Sequence, residues 1–200
     1  MITHKGTQTI QTHTSKPEWY DCDFFPITKE QQYSSKVDRK SGLRFAERCD
    51  CALILRFIRD LAEYEHLSDA VVATEEALAE WLFDKQAAEV LFAVVDGREV
   101  GFALFFSNFS TFLGRAGMYL EDLYVLPDFR GQGIGTSMLR ALAGLADERG
   151  YGRFEWACLD WNIKSIKLYR TLGAEPMSGW TTYRLSGDDI AKFAYGRQYT

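Results

Sequence analysis

The sequence predicts an α/β (α+β) fold, a central mixed and mostly antiparallel sheet flanked by helices. Three observations carry that expectation. Apolar residues switch between helical and strand-like spacing in the order β-α-α-β-β-β-α-β-α-β. Asp96-Gly97 separates two apolar runs, Leu91 to Val95 and Val100 to Phe106, as a hairpin turn would. Arg130-Gly131-Gln132-Gly133-Ile134-Gly135-Thr136 joins the apolar run Leu123 to Leu126 to a helically spaced one, as a strand-to-helix turn would.

Taken in order, residues 1–42 stand apart. They are rich in Thr, Gln, Ser and Lys, with Trp19, Tyr20, Phe24 and Phe25 near Pro17 and Pro26 and no sustained period. They are expected to be an N-terminal extension, either a tail or a cluster packed on the domain or a partner, and residues 43–200 to be the domain. Leu43 to Phe45 reads as a first strand. Leu53, Ile54, Phe57, Ile58 and Leu61 repeat at three and four, giving an amphipathic helix with Asp50 as N-cap and a run-out through His66. A second helix covers Thr74 to Phe83, with Glu75 and Glu76 in the first turn, where the dipole favours acids. After the hairpin, Asn108 to Gly117 reads as a loop and Met118 to Leu126 as a strand. The next helix starts near Ile134 and ends near Arg149-Gly150. Arg153 to Leu159 is expected as a strand, Asn162 as the cap of a short helix stopped by Gly173, and Trp180 to Leu185 as a last strand before a small helix.

Bulk properties narrow the function. A net charge of −5 disfavours nonspecific nucleic-acid binding and suits a cationic substrate. No apolar run reaches the roughly 18 residues of a membrane span, and no hydrophobic signal core opens the chain. A cytoplasmic protein with reduced cysteines is expected, because Cys22, Cys49, Cys51 and Cys158 follow no framework spacing. Cys49-x-Cys51 has no second ligand pair nearby, so no metal is expected.

The glycine turn carries the chemistry. Glycines let backbone N–H groups approach a ligand closely, and the helix start adds a positive dipole end. The turn therefore reads as a phosphate or diphosphate cradle, or else as a tight corner. It lacks the Lys-Ser/Thr ending of a P-loop, and the chain before it does not begin a dinucleotide-binding unit. Upstream, plain alternation would put Tyr119, Glu121 and Leu123 on one strand face and Asp122 on the other. An acid there is costly unless it is ion-paired, with Arg130 or Arg115, or used. Glu63-Tyr64-Glu65 ends the first helix, where acids oppose the dipole, so solvent or a bound cation must compensate. Tyr169 shares a helix face with Ile166 and Leu172, which by itself reads as packing.

Leu61-Ala62-Glu63-Tyr64-Glu65, Tyr119 to Val125, Arg130 to Gly135, and Asp160-Trp161-Asn162 through Leu168-Tyr169 together resemble the spermidine/spermine N-acetyltransferase family. The likeness includes its thialysine-acetylating branch, lies within the GNAT superfamily, and covers about residues 43 to 195. It implies the acyl-CoA N-acyltransferase fold, acetyl-CoA as co-substrate, and direct attack by an amine in a ternary complex. An alkylammonium near pKa 10.4 must lose a proton before it can attack a thioester. The resemblance makes Glu121 the base, acting through water, and Tyr169 the acid for the departing thiolate. It assigns Leu123, Tyr124, Val125, Arg130, Gly131, Gln132, Gly133, Ile134, Gly135, Thr136, Asn162 and Ser165 to the cofactor. Tyr64, Glu65, Glu121, Asp122, Glu155 and Trp156 fall to the amine. It further implies a homodimer in contact through C-terminal strands.

Two departures qualify the substrate. Polyamine-acetylating members carry acids where this chain has Ser110 and Ser178-Gly179-Trp180. Fewer carboxylates favour a smaller amine, a diamine or a lysine analogue, over a long polyamine. Acetylation of a protein lysine or N-terminus, and a silent coenzyme A-binding module, are the alternatives.

Overall fold

The computed structural model describes residues 41–196; the N-terminal extension, apart from its last two positions, lies outside them. The chain divides after Ala157 into two compact units. The first holds a five-stranded sheet in the order β1 (Ser41–Phe45), β2 (Glu89–Val95), β3 (Arg98–Ser110), β4 (Arg115–Val125) and β5 (Phe154–Trp156). All neighbours are antiparallel except β4 and β5, the parallel pair joined through helix α3 (Ile134–Glu148). The expected mixed, mostly antiparallel sheet is therefore present.

Helix α1 (Cys51–Tyr64) covers one sheet face, seating Ile54 and Phe57 against Phe92, Phe102 and Tyr124. The Phe57 ring stacks on Phe102 at 5.3 Å and meets Tyr124 edge-on at 6.5 Å. Helix α3 contacts β3 and β4, and its Met138 and Leu142 are fully buried. A Cβ on Gly101 would come within 3.2 Å of Met138 Sδ, so glycine is what lets strand and helix approach there.

Local signals were met in several places. Asp96 and Gly97 both take positive φ in the β2–β3 turn, as a type I′ hairpin requires. Thr74 caps α2 (Glu75–Leu78) by accepting from Ala77 N at 3.2 Å, and the helix runs on as a π-helical stretch, Ala79–Asp84. Helix α3 ends at Arg149-Gly150, with Gly150 left-handed and Tyr151 N–H donating to Ala146 O at 2.9 Å.

Other expectations need correcting. Residues 108–117 are mostly ladder, not loop: Asn108 pairs with Gly117 and Ser110 with Arg115 across a four-residue turn. Asp50 holds the N-cap position of α1 but caps nothing. Its carboxylate accepts from Glu47 N–H at 2.8 Å and from both terminal nitrogens of Arg44, whose guanidinium holds Asp50 below the usual carboxylate range. Helix α1 stops at Tyr64 rather than running through His66, because His66 turns left-handed at φ 61°. Strand β5 is three residues long, shorter than the expected Arg153 to Leu159.

The second unit contains α4 (Ile163–Thr171) and α5 (Asp188–Ala194). Asn162 caps α4, accepting from Ser165 N–H at 3.2 Å, and Gly173 ends it at φ 85°. The expected strand Trp180 to Leu185 has no ladder partner among the described residues and forms no regular element. No described helix is long and apolar enough to cross a membrane.

Candidate active site

Strand β4 contains one residue too many for its partner. Leu104 pairs with Asp122 while the next residue, Phe105, pairs with Leu120, so Glu121 is a bulge. Simple alternation fails at that point. Tyr119 packs its ring on Phe106 at 5.3 Å, and the pairs Leu104–Asp122 and Phe102–Tyr124 continue the same face. Leu120 and Leu123 take the opposite face through their partners Phe105 and Ala103. The expected Tyr119–Glu121–Leu123 face therefore does not exist, and Glu121 is exposed at the bulge.

The bulge also exchanges which backbone groups look outward. Before it, Met118 N–H donates to Arg153 O of β5 at 2.9 Å. Pairing with β5 ends at Leu120–Trp156. Beyond it, Leu126 N–H donates across to Val100 O on the β3 side at 2.8 Å, so the even positions address β3. The odd positions Leu123 and Val125 then face the outer edge, and Val125 O there accepts from Arg130 Nε at 2.8 Å. A short strand edge is left open beside the bulge. Tyr124, expected with Leu123 and Val125 at the cofactor, instead turns its main chain to β3 and its side chain into the α1 core.

Strand β4 runs through a short turn, Pro127–Phe129, into the glycine segment. Gly131 and Gly133 take φ of 76° and 83°, and Gly133 is the N-cap of α3 with no side-chain cap bond. The first-turn N–H groups of α3 have no intrahelical acceptor and point to the positive end of the dipole. Gln132 Nε2 steadies the turn on Asp128 O at 3.1 Å. Backbone donors, helix dipole and open space around Gly131 and Gly133 make an anion cradle.

Arg130 does something the sequence did not disclose. Its guanidinium lies 4.5 Å above the Tyr64 ring and 5.0 Å above the Tyr124 ring, and the two rings meet edge-on at 6.3 Å. Burial pushes the Tyr124 hydroxyl up, and Arg130 pulls it partly back. The cation also lies at the C-terminal turn of α1, where it offsets the dipole.

Three acids interact where α1 ends and β4 bulges. Burial pushes Asp122 up to about 6, with the negative charges of Glu121 and Glu65 adding to the rise. Burial also raises Glu65. Neither Arg130 nor Arg115 forms an ion pair with Asp122 among the described residues, so the salt-bridge reading of this acid finds no support. Glu155 is different. It lies 2.8 Å from Arg153 Nε and accepts from Asn108 Nδ2 at 3.0 Å, so its charge is already answered. Trp156 pairs with Leu120 and so takes the face opposite Asp122. Ser110 is buried and accepts from Leu113 N–H at 3.3 Å inside the β3–β4 turn. Asn162, Ser165 and the half-buried Tyr169 stand together on α4 in the second unit.

Residues 55–174 match the Acetyltransferase (GNAT) family. The chain is similar to the thialysine N-epsilon-acetyltransferase of Sus scrofa, 42% identical over 164 residues that span 76% of this chain and 96% of that protein. It is similar also to an L-ornithine N5-acetyltransferase of Arabidopsis thaliana, 30% identical over 75% of this chain and 86% of the relative. Among solved structures, an integron cassette protein from V. cholerae overlays with a TM-score of 0.66 at 26% identity, over 78% of this chain and 98% of that one. The fold is shared as well by an aminoglycoside N-acetyltransferase solved with CoA, with a TM-score of 0.60 at 18% identity over 76% and 99% of the two chains.

Proposed function

Because the chain belongs to the Acetyltransferase (GNAT) family and is an N-acetyltransferase, we propose that it moves acetyl from acetyl-CoA to the primary amine of a small diamine or lysine analogue. The observation that carries this reading is the bulge at Glu121, which opens the β4 edge directly ahead of the anion cradle. The diphosphate of the carrier sits on the main-chain donors of Gly131 to Thr136. Its pantetheine arm pairs with the outward groups of Leu123 and Val125 as an added strand. Arg130 serves the cradle by holding its first residue in place, since its side chain is committed to Val125 O and two tyrosine rings. On α4, Asn162 and Ser165 serve the carrier.

The amine enters as an ammonium and needs a concentrated negative site. Glu65, Glu121 and Asp122 supply one, with the Tyr64 ring beside them. Glu121 takes the proton through water, the neutral nitrogen attacks the thioester carbon, and the C–N bond forms as the C–S bond breaks. Tyr169 then gives its proton to the thiolate and recovers one from the nitrogen, which sheds its second proton as the amide forms. One compact acid cluster suits one distal ammonium better than a polyamine chain. Thialysine and ornithine, named for the two relatives, both carry such a group. Glu155, already ion-paired, and Trp156, on the other face, are weaker parts of the amine site.

The test is release of coenzyme A thiol from acetyl-CoA with a panel of thialysine, ornithine, short diamines and spermine. Turnover is expected with the short amines and little with spermine. Tyr169→Phe should lower kcat about 100-fold or more while leaving acetyl-CoA affinity nearly intact. No turnover with any amine, or a Tyr169→Phe variant as fast as wild type, contradicts the reading.

A further inference from the structure

We infer that Arg130 is a positioning residue that makes binding of the acyl carrier and of the amine depend on one another, an inference that rests on the acetyltransferase reading above. The residue belongs by position to the anion cradle, one step before Gly131. Its side chain leaves that cradle. Nε is bonded to Val125 O, the last outward carbonyl of the open β4 edge, and the planar group stacks on Tyr64 and Tyr124.

Each contact belongs to a different subsite. Val125 O closes the end of the edge along which the carrier arm pairs, so Arg130 sets where that pairing stops. Tyr64 is the last residue of α1 and Glu65 is its C-cap, within electrostatic reach of Asp122 in the acid cluster. Tyr124 locks the arrangement from below, buried against Phe57. Order imposed on the glycine turn by a diphosphate thus passes through one rigid guanidinium to the ring that flanks the amine. Lysine could not do the same, because it lacks the planar fork that bonds and stacks together.

Coupling of this kind is reciprocal and is read as a ratio of affinities. The probes are coenzyme A, which cannot react, and thialysine, with each affinity measured by calorimetry in the absence and presence of the other. In wild type, each is expected to tighten the other about five- to tenfold or more. Arg130→Ala should bring that factor close to one, Arg130→Lys should restore it only in part, and Tyr64→Leu should abolish it with Arg130 intact. The double variant Arg130→Ala/Tyr64→Leu should lose no more than either alone. A thermal melt of each variant in coenzyme A accompanies the series, and Tyr64→Leu keeps the test decisive should Arg130→Ala fail to fold. A wild-type factor of one with turnover intact overturns the role of Arg130 and leaves the acetyltransferase reading standing. So does an Arg130→Ala variant that loses coenzyme A affinity but keeps the factor. Absence of turnover in the amine panel sinks the function itself.

Discussion

Asp122 shows how a single side chain joins stability to function. An aspartate raised from 3.8 to about 6 by burial adds stability only while it is protonated. That share is complete below about pH 4 and is lost as pH rises through 6. A rise of this size corresponds to about 3 kcal/mol at neutral pH, as an upper figure. Asp122→Asn should therefore be more stable than wild type by about 1 to 3 kcal/mol at pH 7, with the gap closing near pH 4, while turnover falls. Urea denaturation at both pH values measures it, and a gap that does not change with pH contradicts the account. The residue types of the candidate site were legible in the sequence: Glu121 and Asp122 on an apolar strand, Glu65 closing a helix, and glycines in a strand-to-helix turn. Their neighbours were not. No local pattern reveals that Arg130 lies over Tyr64, because that contact joins residues 66 positions apart.

At the scale of elements, structure follows the sequence closely wherever the signal is local. Asp96-Gly97, Thr74, Asn162 and Gly173 act through their own backbone neighbours, and each does what its residue type predicts. Non-local pairing defeated the reading elsewhere. A bulge depends on the register of β4 against β3, so alternation through Glu121 misassigned Tyr119 and Leu123. Residues 108–117 are rich in Asn, Ser, Thr and Gly and so look like a loop, yet cross-strand pairing makes most of them a ladder. The glycine turn offers a clean test of what an element needs. Gly133→Ala meets no atom within 4 Å, so its cost is the left-handed backbone alone, about 1–2 kcal/mol. Gly135→Ala has ordinary φ and a neighbour only at 3.8 Å, so it should fold as well as wild type. Both should weaken acetyl-CoA binding, the second by crowding the first-turn N–H groups. Denaturant titration with equilibrium binding separates the two effects. Unimpaired binding by both variants would contradict the cradle.

For the whole molecule, the second unit is the informative part. Trp180 is 74% exposed, Tyr183 91% and Phe193 71%, more large apolar surface than such a short segment leaves open without purpose. Trp180 to Leu185, expected as a strand, forms no regular element in the described chain, and we propose that a second copy covers this segment in a homodimer. Sedimentation equilibrium should give a dimer for wild type and a monomer for Trp180→Ser/Tyr183→Ser; a wild-type monomer refutes the proposal. The larger claim is that the bulge frees the outer edge of β4 for the carrier. Backbone amide hydrogen exchange with and without saturating acetyl-CoA tests it most directly. Leu123, Val125 and the first-turn amides Ile134 and Gly135 should become strongly protected, while Tyr124 N–H, which faces β3, stays as it was. Exchange at Leu123 and Val125 that does not change on saturation would contradict it.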